Sequence, residues 1–169
     1  DVYKRQGKTS LLRAVAGLLE FETGVVKWDG VAIRDHHQSF RADLVWLSHR
    51  VGFKGDLNIL ENLKFESGLR ASDQTRLDEV LDRLSLSRLV ELPFRSLSAG
   101  QQRRVALARM LLASARLWIM DEPFTNLDKA GQALVTELIG EHIRAGGSCM
   151  VASHQPLEIG GHTRRVALQ

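Results

Sequence analysis

One cysteine, one tyrosine and three prolines are spread over 169 residues. The single thiol, Cys149, cannot close an internal disulfide, and its apolar, strand-like surroundings fit a core position in a reducing compartment. Long hydrophobic runs are missing as well. The stretch from Leu111 to Met120 is interrupted by Ser114 and Arg116, well short of the roughly 18 uncharged residues that a spanning helix needs. Nothing at the start reads as a secretory leader. Charge of one sign is scarce: 23 basic residues stand against 20 acidic ones, a net of +3. The basic residues are scattered rather than aligned, so nucleic acid is not an expected partner. His36 and His37 lack ligand spacing and read as solvated. What is present is 44% hydrophobic content, enough for one core, so residues 1–169 are expected to form a single domain.

Along the chain, DVYKRQ runs without apolar period into GKTSLLRAVAGLL. Leu11, Leu12, Val15, Ala16 and Leu19 recur at helical spacing, which predicts a helix from Lys8 with Gly7 and Lys8 at its N-terminus. VVKWDGVAI alternates around Asp29 and Gly30 and reads as two strands joined by a tight turn. Leu44 to Leu47 reads as a short buried strand. From Asn58 to Leu92 charge rises, and Leu77, Val80, Leu81 and Leu84 mark a helical stretch. Val105, Leu107, Ala108, Leu111 and Leu112 place a long helix after a Ser-Ala-Gly turn. Leu117 to Met120 is an apolar run ending in two acids, the pattern of a buried parallel strand. Asp128 to Ile143 reads as helix, and Cys149 to Ala152 as a strand leading to Ser153 and His154. Helices alternating with buried strands predict an α/β fold with a mainly parallel sheet, a small antiparallel part and a helical subdomain.

Binding the phosphates of a nucleotide takes backbone N–H groups, a helix N-terminus, a lysine and a hydroxyl for magnesium. Gly7, Lys8 and Thr9 supply the last part of that set. The pattern GxxxxGK[ST] asks for glycine at position 2, where Val2 stands, and a bare GKT is weak evidence. Further on, Leu117 to Met120 delivers Asp121 and Glu122, a pair in which one carboxylate can hold magnesium and the other polarise water. Taken alone, such a strand end is more often a helix cap or a solvated edge. Between the two lies LSAGQQRR, where Ser98, the Gly100 backbone and the following helix form a second anion-binding surface, although Ser98 also reads as a plain helix cap. Order and spacing lift the three signals together.

With these residues in hand, the chain resembles the nucleotide-binding domains of ABC transporter ATPases over essentially its whole length. LSAGQQRRVALAR resembles the family's signature, with Ala99 where glycine is commonest; LWIMDEP is similar to its Walker B segment and TNLD to its D-loop. The resemblance implies a P-loop NTPase fold with a helical subdomain at about 54–96, and ATP and Mg2+ as cofactors. It implies that Lys8 contacts the β and γ phosphates, with Gly7 and Ser10 beside it. Thr9 and Asp121 would hold the metal, Glu122 would be the general base, and His154 would meet the γ phosphate. Ser98, Gly100 and Gln101 would close over ATP bound to a second copy, with the D-loop's Asp128 at the same seam, so a homodimer is implied.

Two departures stand out. The Q-loop position falls on His49, beside Arg50, in place of glutamine. The start lacks the glycines of the phosphate loop and the family's upstream strand and aromatic, so a shortened N-terminus and weak ATP binding are expected, each lost charge-assisted bond costing roughly 1.5 to 3 kcal/mol. Within the family, His49 after LVWLS, the LWIMDEPFTNLDKAG run and SHQP at Ser153 to Pro156 are most similar to the ATP-binding subunit of cytochrome c maturation, a haem exporter. That likeness implies an ATPase at the cytoplasmic face of the bacterial inner membrane, bound to integral membrane subunits that dock near His49 and the helical stretch. A transporter ATPase for a lipid, metal or small solute is the alternative. DNA- or ribosome-directed relatives usually carry paired domains or long coiled coils, and this chain has neither.

Overall fold

The computed structural model describes residues 3–49, 51–69, 73–154 and 163–166. Among them the helices and strands follow in the order α1 (Tyr3–Val15), β1 (Lys27–Trp28), β2 (Val31–Ala32), α2 (His37–Asp43), β3 (Leu44–Leu47), α3 (Ile59–Leu69), α4 (Leu77–Arg83), α5 (Ala99–Leu112), β4 (Leu117–Asp121), α6 (Lys129–Arg144) and β5 (Ser148–Ala152). Short 3-10 turns at Gln74–Arg76, Ser87–Leu89 and Phe94–Ser96 link the middle helices.

β4 lies between β3 and β5, and both pairings are parallel, with Leu44 opposite Leu117 and Asp121 opposite Ala152. All five residues of β4 are buried. That continuous burial is why Leu117–Met120 reads as an unbroken apolar run instead of an alternating one. The two faces still separate by the strand period of two. Val45, Leu47, Trp118 and Met120 join the larger core with α3, α4, α5 and α6. Leu44, Leu117 and Ile119 face Leu12 and Ala16 at the end of α1, with Ile33 and Phe40. Cys149 packs at the border of the larger core, where burial pushes its thiol up to about 12 and leaves it unreactive.

Connections follow from local chemistry. Asp29 and Gly30, at φ 50° and 81°, form the turn between the antiparallel β1 and β2, the two positive values that a type I′ hairpin needs. α1 ends where Gly17 takes φ 69°, with Leu18 N–H donating to the Arg13 carbonyl and Gly17 N–H to that of Ala14. This is a glycine-terminated Schellman end, so Leu19, predicted on the apolar face, lies past the helix and is 44% exposed. The other end of α1 departs further from expectation. It starts at Tyr3, not at Gly7 or Lys8, so the expected position of those two residues at a helix N-terminus is corrected. In a helix begun at Tyr3 the unpaired donors are those of residues 3 to 6, and the N–H of Gly7 falls inside the hydrogen-bonded ladder. α2 was not anticipated; its seven residues bury only Phe40, too little periodicity to see in sequence. Among the described residues no helix is long and apolar enough to cross a membrane.

Candidate active site

The C-terminal ends of parallel strands are where open α/β sheets gather functional side chains, and β4 and β5 do so here. β4 ends at Asp121, which is 5% exposed and accepts a 2.9 Å hydrogen bond from the Thr9 hydroxyl of α1. Glu122 continues the β4–β5 ladder by one bond, its N–H donating to the Ala152 carbonyl at 2.8 Å. Its backbone then turns left-handed, at φ 48°, a conformation that costs a side-chain-bearing residue about 1 to 3 kcal/mol and persists where surrounding contacts enforce it.

Beyond β5, Lys8 Nζ donates to the Ser153 carbonyl at 3.3 Å and lies 3.4 Å from His154 Nδ1, while His154 Nε2 lies 3.3 Å from Glu122 Oε1. An ammonium can only donate, so Nδ1 of this imidazole is the acceptor and Nε2 carries the proton toward Glu122. Lys8, His154 and Glu122 therefore form one chain of polar contacts beside the Thr9–Asp121 pair. The Glu122 side chain is 24% exposed and that of His154 57%, so both can reach a molecule at the surface. Thr9 and Asp121 present hard oxygens next to a lysine, the donor set that suits magnesium shared with substrate phosphates. No group of three or more His, Cys, Asp or Glu side chains forms a protein-only metal site among the described residues.

The remaining predicted residues lie apart from this chain of contacts. Ser98 caps α5: its hydroxyl accepts from the Gln101 N–H at 3.3 Å, and the Gln101 side chain accepts from the Ser98 N–H at 2.8 Å. This closed capping box uses Ser98 and Gln101 on each other. Gly100 fits because a Cβ there would come within 2.9 Å of the Asn126 carbonyl. Asp128 caps α6, accepting from Gly131 N–H at 2.8 Å. Gly7 and Ser10 are exposed on α1. His49, exposed after β3, borders a concavity of about 300 Å³ with Val51, Gly52, Ala99, Gln102, Arg103, Thr125 and Asn126. His36 and His37 are exposed, as their spacing suggested. Val2, Arg50, Gln155 and Pro156 lie outside the described residues.

Arg103 escaped the sequence reading. It is 4% exposed and donates to four main-chain carbonyls, those of Ser48, Asp121, Glu122 and Pro123. Its only sequence signal is a charge on a helix that otherwise buries Val105, Ala106, Leu107, Ala108, Met110 and Leu112.

The family model described as ABC transporter matches residues 6–125, which span the Lys8 helix, the Ser98 turn and the Asp121–Glu122 strand end. The chain belongs to the ABC transporter family. Among curated relatives of this ABC ATPase, the cytochrome c biogenesis ATP-binding export protein CcmA of Methylococcus capsulatus is 44% identical over 96% of the chain and 79% of the relative. The protein of the same name from Pasteurella multocida is 43% identical over 90% of the chain and 72% of the relative. Among solved structures, an ATP-binding subunit of an ABC transporter superposes with a TM-score of 0.77 at 21% identity, over 88% of this chain and 63% of that one. A dimeric ATP-binding cassette in a post-hydrolysis state with ADP and phosphate gives 0.76 at 23% identity, over 88% and 70%. The α/β class expected from the alternation of helices and buried strands, and the ABC ATPase fold implied by the family resemblance, are thereby shown.

Proposed function

We propose that this ABC ATPase is the ATP-hydrolysing subunit of an exporter serving cytochrome c biogenesis, acting as a pair of copies on integral membrane subunits. The relatives named for that export role, at 43–44% identity over at least 90% of the chain, support the assignment of system. The observation that carries the chemistry is the meeting of Lys8, Thr9, Asp121, Glu122 and His154, drawn from three distant segments, at the C-terminal ends of β4 and β5.

ATP would lie with its terminal phosphates at Lys8. Thr9 and Asp121 would hold Mg2+, which supplies charge neutralisation on the phosphate oxygens when bound. An arriving γ phosphate offers Lys8 and the His154 Nε2–H a stronger acceptor than their present partners. Turning both toward it releases Glu122 Oε1 to accept a hydrogen bond from water, orient it in line with the phosphorus and take its proton as the water oxygen bonds to the γ phosphorus and the bond to the β–γ bridging oxygen breaks, releasing ADP and phosphate. Ser98, Gly100 and Gln101 lie at the N-terminus of α5, away from the Lys8 contacts, and we assign them to the nucleotide of the second copy, with Asp128 at the same seam. Residues 54–96 make up the helical subdomain of the single domain 1–169, and its side next to His49 is the docking face for the membrane subunits, at the cytoplasmic surface of the inner membrane.

The test of the system is complementation. In a bacterium lacking its own cytochrome c export ATPase, the protein with residues 1–6 recast as a glycine-bearing phosphate loop restores haem-stained c-type cytochromes and co-purifies with the exporter's membrane subunits, while Glu122→Gln in that background restores neither pigment nor respiration. Co-purification with a lipid, metal or solute transporter instead, with cytochromes still absent, assigns it to another ABC system.

A further inference from the structure

Arg103 has five N–H donors and is spent on carbonyls alone. Nη1 reaches Ser48 O at 2.8 Å, Nη2 reaches Asp121 O at 3.0 Å and Glu122 O at 2.6 Å, and Nε reaches Pro123 O at 3.3 Å. Ser48 directly follows β3, and residues 121–123 carry β4 into its left-handed turn. These carbonyls stand where the parallel ladder runs out; the guanidinium supplies buried, charge-assisted donors to all four, and the Glu122 carbonyl also accepts from the Thr125 N–H at 3.2 Å. A planar fork with donors on three nitrogens can hold two separate chain segments at a fixed spacing; a lysine, with one point of attachment, cannot. Burial draws the Arg103 pKa down to about 10, against the opposing pull of Asp121, so the group stays charged at neutral pH.

We propose that Arg103 is a positioning residue that ties the place of the His49 loop to the backbone conformation of Glu122. Three observations carry this. The same guanidinium bonds to the residue before His49 and to Glu122 itself. Glu122 holds a left-handed φ of 48°, which needs enforcement from outside. Arg103 and His49 also border one concavity, together with Thr125 and Asn126 of the turn after β4. A shift of His49, as when a partner engages that loop, is passed through Ser48 to the guanidinium and so to the carbonyl of the residue assigned as base. The catalytic meaning rests on the reading of Glu122 as that base; the mechanical link does not.

Hydrogen exchange on the full chain without nucleotide tests the link. Arg103→Gln raises exchange at least about tenfold in both 48–53 and 121–127 and leaves α6 unchanged. His49→Ala raises exchange in 121–127 of the native protein but adds nothing in the Arg103→Gln background, the non-additivity expected of a shared connection. Arg103→Lys, which keeps the charge and guards against simple misfolding, gives an intermediate response. Its MgATP turnover falls about 10- to 100-fold in kcat, with KM within about twofold. Additive responses, or an exchange change confined to one segment, overturn the proposal. If the exchange coupling appears while Glu122→Gln hydrolyses ATP at the native rate, the failure belongs to the catalytic assignment and not to the link.

Discussion

Two parts of the molecule meet charge in opposite ways. At the ends of β4 and β5, the side-chain partners lie 112 to 146 residues apart in sequence: Thr9 with Asp121, Lys8 with Ser153 and His154. At the Ser98 turn, the partners are three residues apart and satisfy each other locally. The first arrangement is an assembled site whose groups occupy one another until a ligand arrives. The second is a helix terminus sealed by its own residues, able to hold its shape with nothing bound. A pair of copies offers a reason for the difference. On the proposed reading, the face that binds and reacts rearranges when ATP enters, while the face assigned to another copy's nucleotide works best when preorganised.

The comparison breaks most readily at α1. Recasting residues 1–6 as a glycine-bearing phosphate loop makes α1 begin at Gly7 and frees several N–H groups for phosphate. With each charge-assisted bond contributing about 1.5 to 3 kcal/mol, ATP affinity measured by calorimetry rises roughly 100-fold or more. An unchanged affinity would mean that the Lys8 edge does not bind phosphate. A smaller effect is expected at Gly100→Ala, whose Cβ would meet the Asn126 carbonyl at 2.9 Å. Relief requires moving the α5 terminus or the turn after β4, at about 1 to 3 kcal/mol in denaturant unfolding. Smallest is Ser98→Ala, which opens the capping box and costs about 1 kcal/mol. If Ser98 also serves a second copy, this variant loses ATP-driven association by more than its stability loss accounts for, as light scattering would register.

Local signals were the legible ones. The Asp29–Gly30 turn, the apolar run of β4 and the Ser98 cap each sit within a few residues, and each took the form its composition suggested. Asp121 and Glu122 were visible as two acids after a strand; their meeting with Thr9 and His154 depends on a parallel sheet that closes over a hundred residues of chain. What stayed hidden had two sources, one local and one tertiary. The extension of α1 back to Tyr3 follows from a segment with no proline or glycine before Gly7 to stop it. The clamp of Arg103 could not be read because a basic residue on a helix usually lies in water, and nothing local separates it from Arg104 beside it. Its role appears only when the ends of β3 and β4 are placed beside it.

The central claim is that Glu122 stands beside the terminal phosphate as the group that activates water. Single-turnover hydrolysis of MgATP by the variant with a glycine-bearing loop, with and without Glu122→Gln, tests it most directly. The expected result is a fall in the hydrolysis rate of about 10²- to 10⁴-fold, with ATP still bound and the paired copies held together. Hydrolysis by the Glu122→Gln protein at its parent's rate would contradict the account.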